Sequence, residues 1–139
     1  MTDLEKLRQW LLTFPKWKEG RLQVEYTDAL PGNLGLFPTG LQEVSRRQDV
    51  LGNITAKNRY HFVLYRVAAR QENNEENAQW LLEFQNWVQA QSAAGLAPRF
   101  GDEPNSERLW AENGKLKEAS QTGTGIYTVT LTAEFVKYY

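Results

Sequence analysis

The strongest pattern in the chain is a strict alternation near its end. Tyr127, Val129, Leu131, Ala133 and Phe135 fall on one side, and Thr128, Thr130, Thr132 and Glu134 on the other. Period two with β-branched and aromatic residues predicts a long, half-buried strand entered through Gly123 and Gly125. Residues 21–28 alternate in the same way, with Leu22, Val24 and Tyr26 against Gln23, Glu25 and Thr27. Residues 41–47 and 54–69 read as two further strands joined by a charged tip at 46–53. Residues 60–68 are apolar at almost every position, which predicts a central strand covered on both faces. Between these elements, Pro31-Gly32-Asn33 signals a turn. Gly35, Pro38 and Gly40 make residues 34–40 an extended, irregular crossing rather than a central strand. Asn113-Gly114, flanked by 109–112 and 115–118, predicts a hairpin, because a type I′ turn needs positive φ at both central residues.

Two segments carry helical spacing instead. Leu4, Leu7, Leu11 and Phe14 form one stripe and predict a helix over 3–14. Thr2 and Glu5 have capping-box spacing, and Pro15 ends the segment. Trp10 and Leu12 lie off the stripe, as part of a wider core face or as a partner contact. Residues 74–91 make the second helix, with Trp80, Leu81, Phe84, Trp87 and Val88 on its apolar face. Asn74 is placed to cap it, Glu75 and Glu76 suit its first turn, and Gly95 with Pro98 beyond suits its end. The order is α-β-(loop)-β-β-α-β-β-β. That pattern predicts a single α+β domain over residues 1–139, a mixed, mainly antiparallel sheet with two main helices packed against it.

Composition narrows what such a domain does. With 139 residues, 41% of them apolar, and five Trp, six Tyr and six Phe, the chain can bury a substantial core. It has no cysteine, which excludes a disulfide framework, a thiolate zinc site and a cysteine nucleophile. Sixteen basic residues stand against seventeen acidic ones, so the net charge of −1 lacks the basic surplus of a general nucleic-acid binder. No apolar run approaches the roughly 18 residues of a membrane span. The N-terminal residues lack a signal-peptide pattern, and a soluble intracellular protein is expected.

Candidate chemistry is sparse. His61, the only histidine, lies in the most apolar strand, and packing is the simpler reading of it than catalysis. A Ser-His-Asp triad assembles in space and is not excluded by spacing. No Gly-x-Ser-x-Gly elbow surrounds Ser45, Ser92, Ser106 or Ser120. Glu75 and Glu76 are explained by the helix dipole, and Asp102 and Glu103 by a solvated turn beside Pro104. Gly123-Thr124-Gly125 precedes a strand, so it lacks the helix N-terminus of a phosphate loop. Arg46 and Arg47 form a basic pair at the 46–53 tip, either solvated or set against a neighbouring subunit or nucleic acid. No cofactor and no metal ligand set is indicated.

The framework residues carry a resemblance. Leu41-Gln42-Glu43-Val44-Ser45-Arg46-Arg47, the strand from Tyr60 to Arg66, the helix from Asn77 to Val88 and the closing Tyr127-Thr128-Val129-Thr130-Leu131 resemble small minor-capsid or tail-terminator proteins. These belong to prophages of long-tailed bacteriophages of Gram-positive bacteria. The resemblance implies a structural protein with no catalytic residues, assembled as a hexameric ring that caps the tail tube. Its implied partners are the tail tube protein and the head–tail connector protein. DNA would pass through the ring without sequence-specific binding, and a near-neutral charge suits such a lumen. The implied location is the host cytoplasm during assembly and then the virion. Arg46, Arg47 and Asp49 are the expected subunit or partner contacts, with the 46–53 tip, the 95–106 loop and the 113–114 turn as the protruding elements. Another joining or tail-tube protein, a small enzyme using His61, and a ligand-binding module are the alternatives.

Overall fold

A computed structural model describes residues 1–16, 22–24, 34–69, 74–119 and 124–139. The first helix, α1 (Asp3–Leu11), starts at the expected capping box. Thr2 Oγ1 accepts from the Glu5 amide at 3.1 Å, and Glu5 Oε2 accepts from the Thr2 amide at 3.3 Å. The helix stops earlier than the apolar stripe suggests. The amides of Thr13 and Phe14 turn back to the carbonyls of Trp10 and Leu11, three residues away. Pro15 disfavours helical backbone at Phe14, so the last turn tightens and ends. Trp10 joins the core, whereas Leu12 stays on the surface.

The remaining elements are β1 (Leu22–Val24), β2 (Leu34–Gln48), β3 (Ile54–Ala69), α2 (Asn74–Ala93), a 3-10 turn (Pro104–Ser106), β4 (Arg108–Ala119) and β5 (Thr124–Tyr138). The α2 helix ends as its sequence predicts. Gly95 takes φ +72°, its amide donates to Ser92 O, and the Leu96 amide donates to Gln91 O. That pair of bonds is a Schellman cap, which favours glycine at the left-handed position. Asn74 is the first helical residue, so the cap position falls on residue 73, outside the described residues.

The strands form one five-stranded sheet in the order β1-β2-β3-β5-β4. β1 runs parallel to β2 and every other pair is antiparallel. This is the expected α+β arrangement, a mixed, mainly antiparallel sheet with its helices on one face. Alternation on β5 works as read: Tyr127, Val129, Leu131, Ala133 and Phe135 are buried against the helices. Leu7, Leu11 and Phe14 of the N-terminal segment and Leu81, Phe84 and Val88 of α2 close the core from above. Trp10 stacks on Trp87 at 4.6 Å and Phe14 meets Trp80 at 5.5 Å, so α1 and α2 run antiparallel. Each large side chain buried here contributes about 1.5–3 kcal/mol before entropy is subtracted.

Two elements differ from the sequence reading. Residues 34–40 are the start of β2 rather than an irregular crossing. Pro38 is accommodated because, among the described residues, β1 pairs only with residues 34–36, so no described strand calls on an amide at Pro38. Asn113-Gly114 is a β-bulge within one strand, not a hairpin between two. Glu112 pairs with Thr130 and Lys115 with Thr128, which sets two residues opposite Val129 alone. Asn113 still takes the positive φ, 58°, that the turn reading required. Hence two strands, not three, follow α2. Residues 25–28 of the first predicted strand lie outside the described residues.

The segment after α2 folds back along β5. The Asp102 amide donates to Val136 O at 2.7 Å, and Asp102 Oδ2 accepts from the Tyr138 amide at 2.8 Å. It thus continues the β4 edge past the point where β4 begins.

Candidate interaction surface

Side chains opposite the helices form an open sheet face. Antiparallel register aligns Gln42, Arg59, Glu134 and Arg108 as one row across β2, β3, β5 and β4. The next row is Gly40, His61, Thr132 and Trp110. Directly opposed residues share a face, so these rows make a continuous platform. At its centre Glu134 is buried and meets Lys57 Nζ at 3.1 Å and Arg59 Nε at 3.0 Å. Burial alone would raise its proton affinity. The hydrogen bonds and charges of Lys57 and Arg59 outweigh that and hold the carboxyl below its ordinary range. The Trp110 ring lies under two guanidiniums, Arg108 at 4.7 Å and Arg59 at 5.5 Å from its centroid. Phe37 and Tyr65 pack edge to face at 4.8 Å on the same side.

β3 is central, as expected, but only its helix-facing side is fully covered. Val63 and Tyr65 on the other side remain half-buried. His61 belongs to this open face. Its Nε2 lies 2.9 Å from Gln42 Oε1 and its Nδ1 lies 3.5 Å from Thr132 Oγ1. Among the described residues no carboxylate pairs with it.

The second exposed feature is the β2–β3 arm. From Pro38 onward every residue of β2 is exposed, and beyond β1 no strand among the described residues pairs with its outer edge. Thr39 and Val44 are bulged out of the ladder. The tip projects Val50 and Leu51, which are 102% and 84% exposed. Asp49 builds the tip: its Oδ1 accepts from the amides of Leu51 and Asn53, both at 2.9 Å, and its Oδ2 from Asn53 Nδ2 at 3.0 Å. Those bonds, Asn53's first, hold its carboxyl below the ordinary value. Arg46 Nε pairs with Glu43 at 2.7 Å, and Arg47 lies opposite Thr55 on the open face. The three expected contact residues therefore share the tip, but Asp49 has its carboxylate committed within the turn.

The other candidates separate. Glu75 is exposed at the start of α2. Asp102 holds the loop against β5, while Glu103 accepts from Tyr138 Oη and Ser106 Oγ. Ser120 and Gly123 lie outside the described residues. A groove of about 390 Å³ runs between α2 and β4, lined by Gln89, Ser92, Ala93, Glu107, Arg108, Leu109 and Trp110. Ser92 Oγ accepts from the Leu109 amide there, so α2 closes part of the β4 edge. Among the described residues no group of three His, Cys, Asp or Glu is arranged to hold a metal, and no helix is long and apolar enough to cross a membrane.

The row of Arg59, Glu134 and Arg108 with Trp110 was not singled out from the sequence. Its one local signal was Glu134, the only charged residue among the threonines of the final strand. No protein-family model matches the chain, and no curated protein matches it.

Proposed function

We propose that this chain is a structural virion-assembly protein of the tail-terminator type, which caps the tail tube as a ring and offers a joining surface to the head. The observation that carries the reading is the β2–β3 arm. A strand exposed from Pro38 to Gln48 and leading to a tip with two projecting aliphatic residues costs solvation unless a neighbour covers it. The two sheet edges also differ among the described residues: no strand pairs with β2 beyond β1, whereas β4 is partly closed by α2. Unlike edges favour a heterologous contact between copies, the kind that closes a cyclic ring. Arg46 and Arg47 contact the adjacent subunit or the tail tube in this reading, and Asp49 keeps the tip in shape for it. The surroundings of His61, an amide and a hydroxyl, suit a structural role.

Incubation with purified head-free tails, followed by electron microscopy and mass measurement, tests the proposal. A ring bound stoichiometrically at one tube end is the expected result. Failure to bind any tube, or unchanged ring formation and tail joining after Arg46→Glu with Arg47→Glu, overturns the corresponding part.

A further inference from the structure

The near-neutral chain conceals a segregation of charge. Register places Arg47, Lys57, Arg59, Arg108 and Lys115 on the open sheet face. By the same register three carboxylates share it among the described residues, Glu112, Glu118 and Glu134. This face is therefore positive by two charges, while the whole chain carries −1. One of its three carboxylates is also hidden. The Glu134 side chain is 10% exposed, whereas those of Lys57 and Arg59 above it are 47% and 35% exposed. An approaching anion meets the cations and not the carboxylate. Trp110 holds the guanidiniums of Arg59 and Arg108 over its ring, which lowers the ordering cost of a contact. Between the cations lie hydroxyl, amide and imidazole groups, those of Thr130, Gln42 and His61, all able to donate to phosphate oxygens.

We propose that this face takes the phosphate backbone of duplex DNA, weakly and without sequence readout. The inference rests on the tail-terminator reading for the identity of the polyanion, and it assigns the face that a ring would turn toward its channel. Two surplus charges bind weakly in one subunit, and repetition around a ring multiplies the contact. Weak, salt-sensitive contacts also permit sliding.

Fluorescence anisotropy of a short labelled DNA duplex, titrated with the isolated protein at low and rising salt, tests this. Binding should fall with a log–log salt slope of about −2, near 0.9 per phosphate neutralised. The triple variant Arg47→Gln, Arg108→Gln, Lys115→Gln removes exposed charges and leaves Lys57–Glu134–Arg59 intact. It should bind at least about tenfold more weakly at low salt while keeping wild-type thermal unfolding. A control with equal charge loss on the helix side, Lys6→Gln, Lys16→Gln, Arg99→Gln, should bind within about threefold of wild type. Equal losses in both triples, salt-independent binding, or binding to polyglutamate but not to DNA would overturn the proposal. Tube capping measured on the same open-face triple separates the two readings. Capping without DNA affinity in the wild type refutes this inference alone, whereas absence of capping refutes the terminator reading.

Discussion

Replacing Glu134 by glutamine removes a charge and leaves its shape, so its effect isolates the ion-pair hub of the open face. The carboxylate is almost fully buried and holds two cations at 3.1 and 3.0 Å. Removing one partner of a fully buried pair costs roughly 3–5 kcal/mol, and an exposed pair is worth about 0–1. Lys57 and Arg59 retain much of their solvent, and the new amide oxygen still accepts one bond. The loss should therefore be about 1–2 kcal/mol near neutral pH. The dependence on pH supplies the stricter test. Because the folded carboxyl is held below its ordinary 4.5, the unfolded chain takes up the proton first as pH falls. The stabilisation is complete above 4.5 and disappears as pH drops through the lowered folded value. Urea unfolding of both proteins, followed by tryptophan fluorescence, should show a gap that closes in acid. A gap of the same size at every pH would mean that packing, not charge, is lost. No gap at neutral pH would mean that desolvation cancels the pairs.

Three further outcomes follow from local geometry. In Gly101→Ala the new Cβ would stand 2.4 Å from Val136 O and 3.0 Å from Val136 N, both backbone atoms, so the loop must leave β5. A loss of about 2 kcal/mol or more in urea unfolding, with faster hydrogen exchange at the Asp102 amide, is expected. Burial, and then its hydrogen bond to Asp3, push the Tyr60 phenol up to about 12, so its stabilising effect is present below 10 and lost as pH rises through about 12. Ultraviolet titration should show a component ionising near 12 that vanishes in Tyr60→Phe and moves back toward 10 in Asp3→Ala. Asn113→Val forces a β-branched residue into φ 58° and should cost about 1–2 kcal/mol by urea unfolding, whereas Asn113→Gly should be tolerated.

The sequence disclosed what depends on neighbours a few residues away. The capping box at Thr2, the glycine cap at Gly95 and the alternation of β5 are local signals, and each is where it was expected. Asn113-Gly114 shows the limit of such signals. Positive φ suits both a hairpin and a bulge, and only the uninterrupted partner strand β5, on the far side of the pairing, decides between them. Pro38 shows the same from the other direction, since its place in a strand depends on how far β1 extends. The open face was least legible. Arg59 and Glu134 are 75 residues apart, and nothing near either one announces the other. Near-neutral composition likewise hid the charge surplus, because a sum over the chain carries no information about which face holds which sign.

Among the described residues the outer edge of β2 pairs only with β1, and this edge limits how a neighbour in the proposed ring can meet the arm. A long unpaired strand would normally recruit any other strand in solution. Here the edge is interrupted by Pro38, by bulges at Thr39 and Val44, and by the charges of Glu43, Arg46 and Arg47. Each device disrupts a continuous ladder, so a neighbour that added a strand would gain few regular hydrogen bonds. In the proposed ring the contact then relies on the tip, where Val50 and Leu51 project from a turn fixed by Asp49. Val50→Ser with Leu51→Ser should leave the unfolding free energy of the isolated subunit within about 0.5 kcal/mol, because neither side chain touches its core. The same variant should lose tube capping. Substituting Pro38→Val instead should leave capping intact and increase aggregation, measured by light scattering, because it restores an amide to the free edge. Capping that survived the tip variant and failed with Pro38→Val would reverse the assignment, making the edge the working surface and the tip incidental.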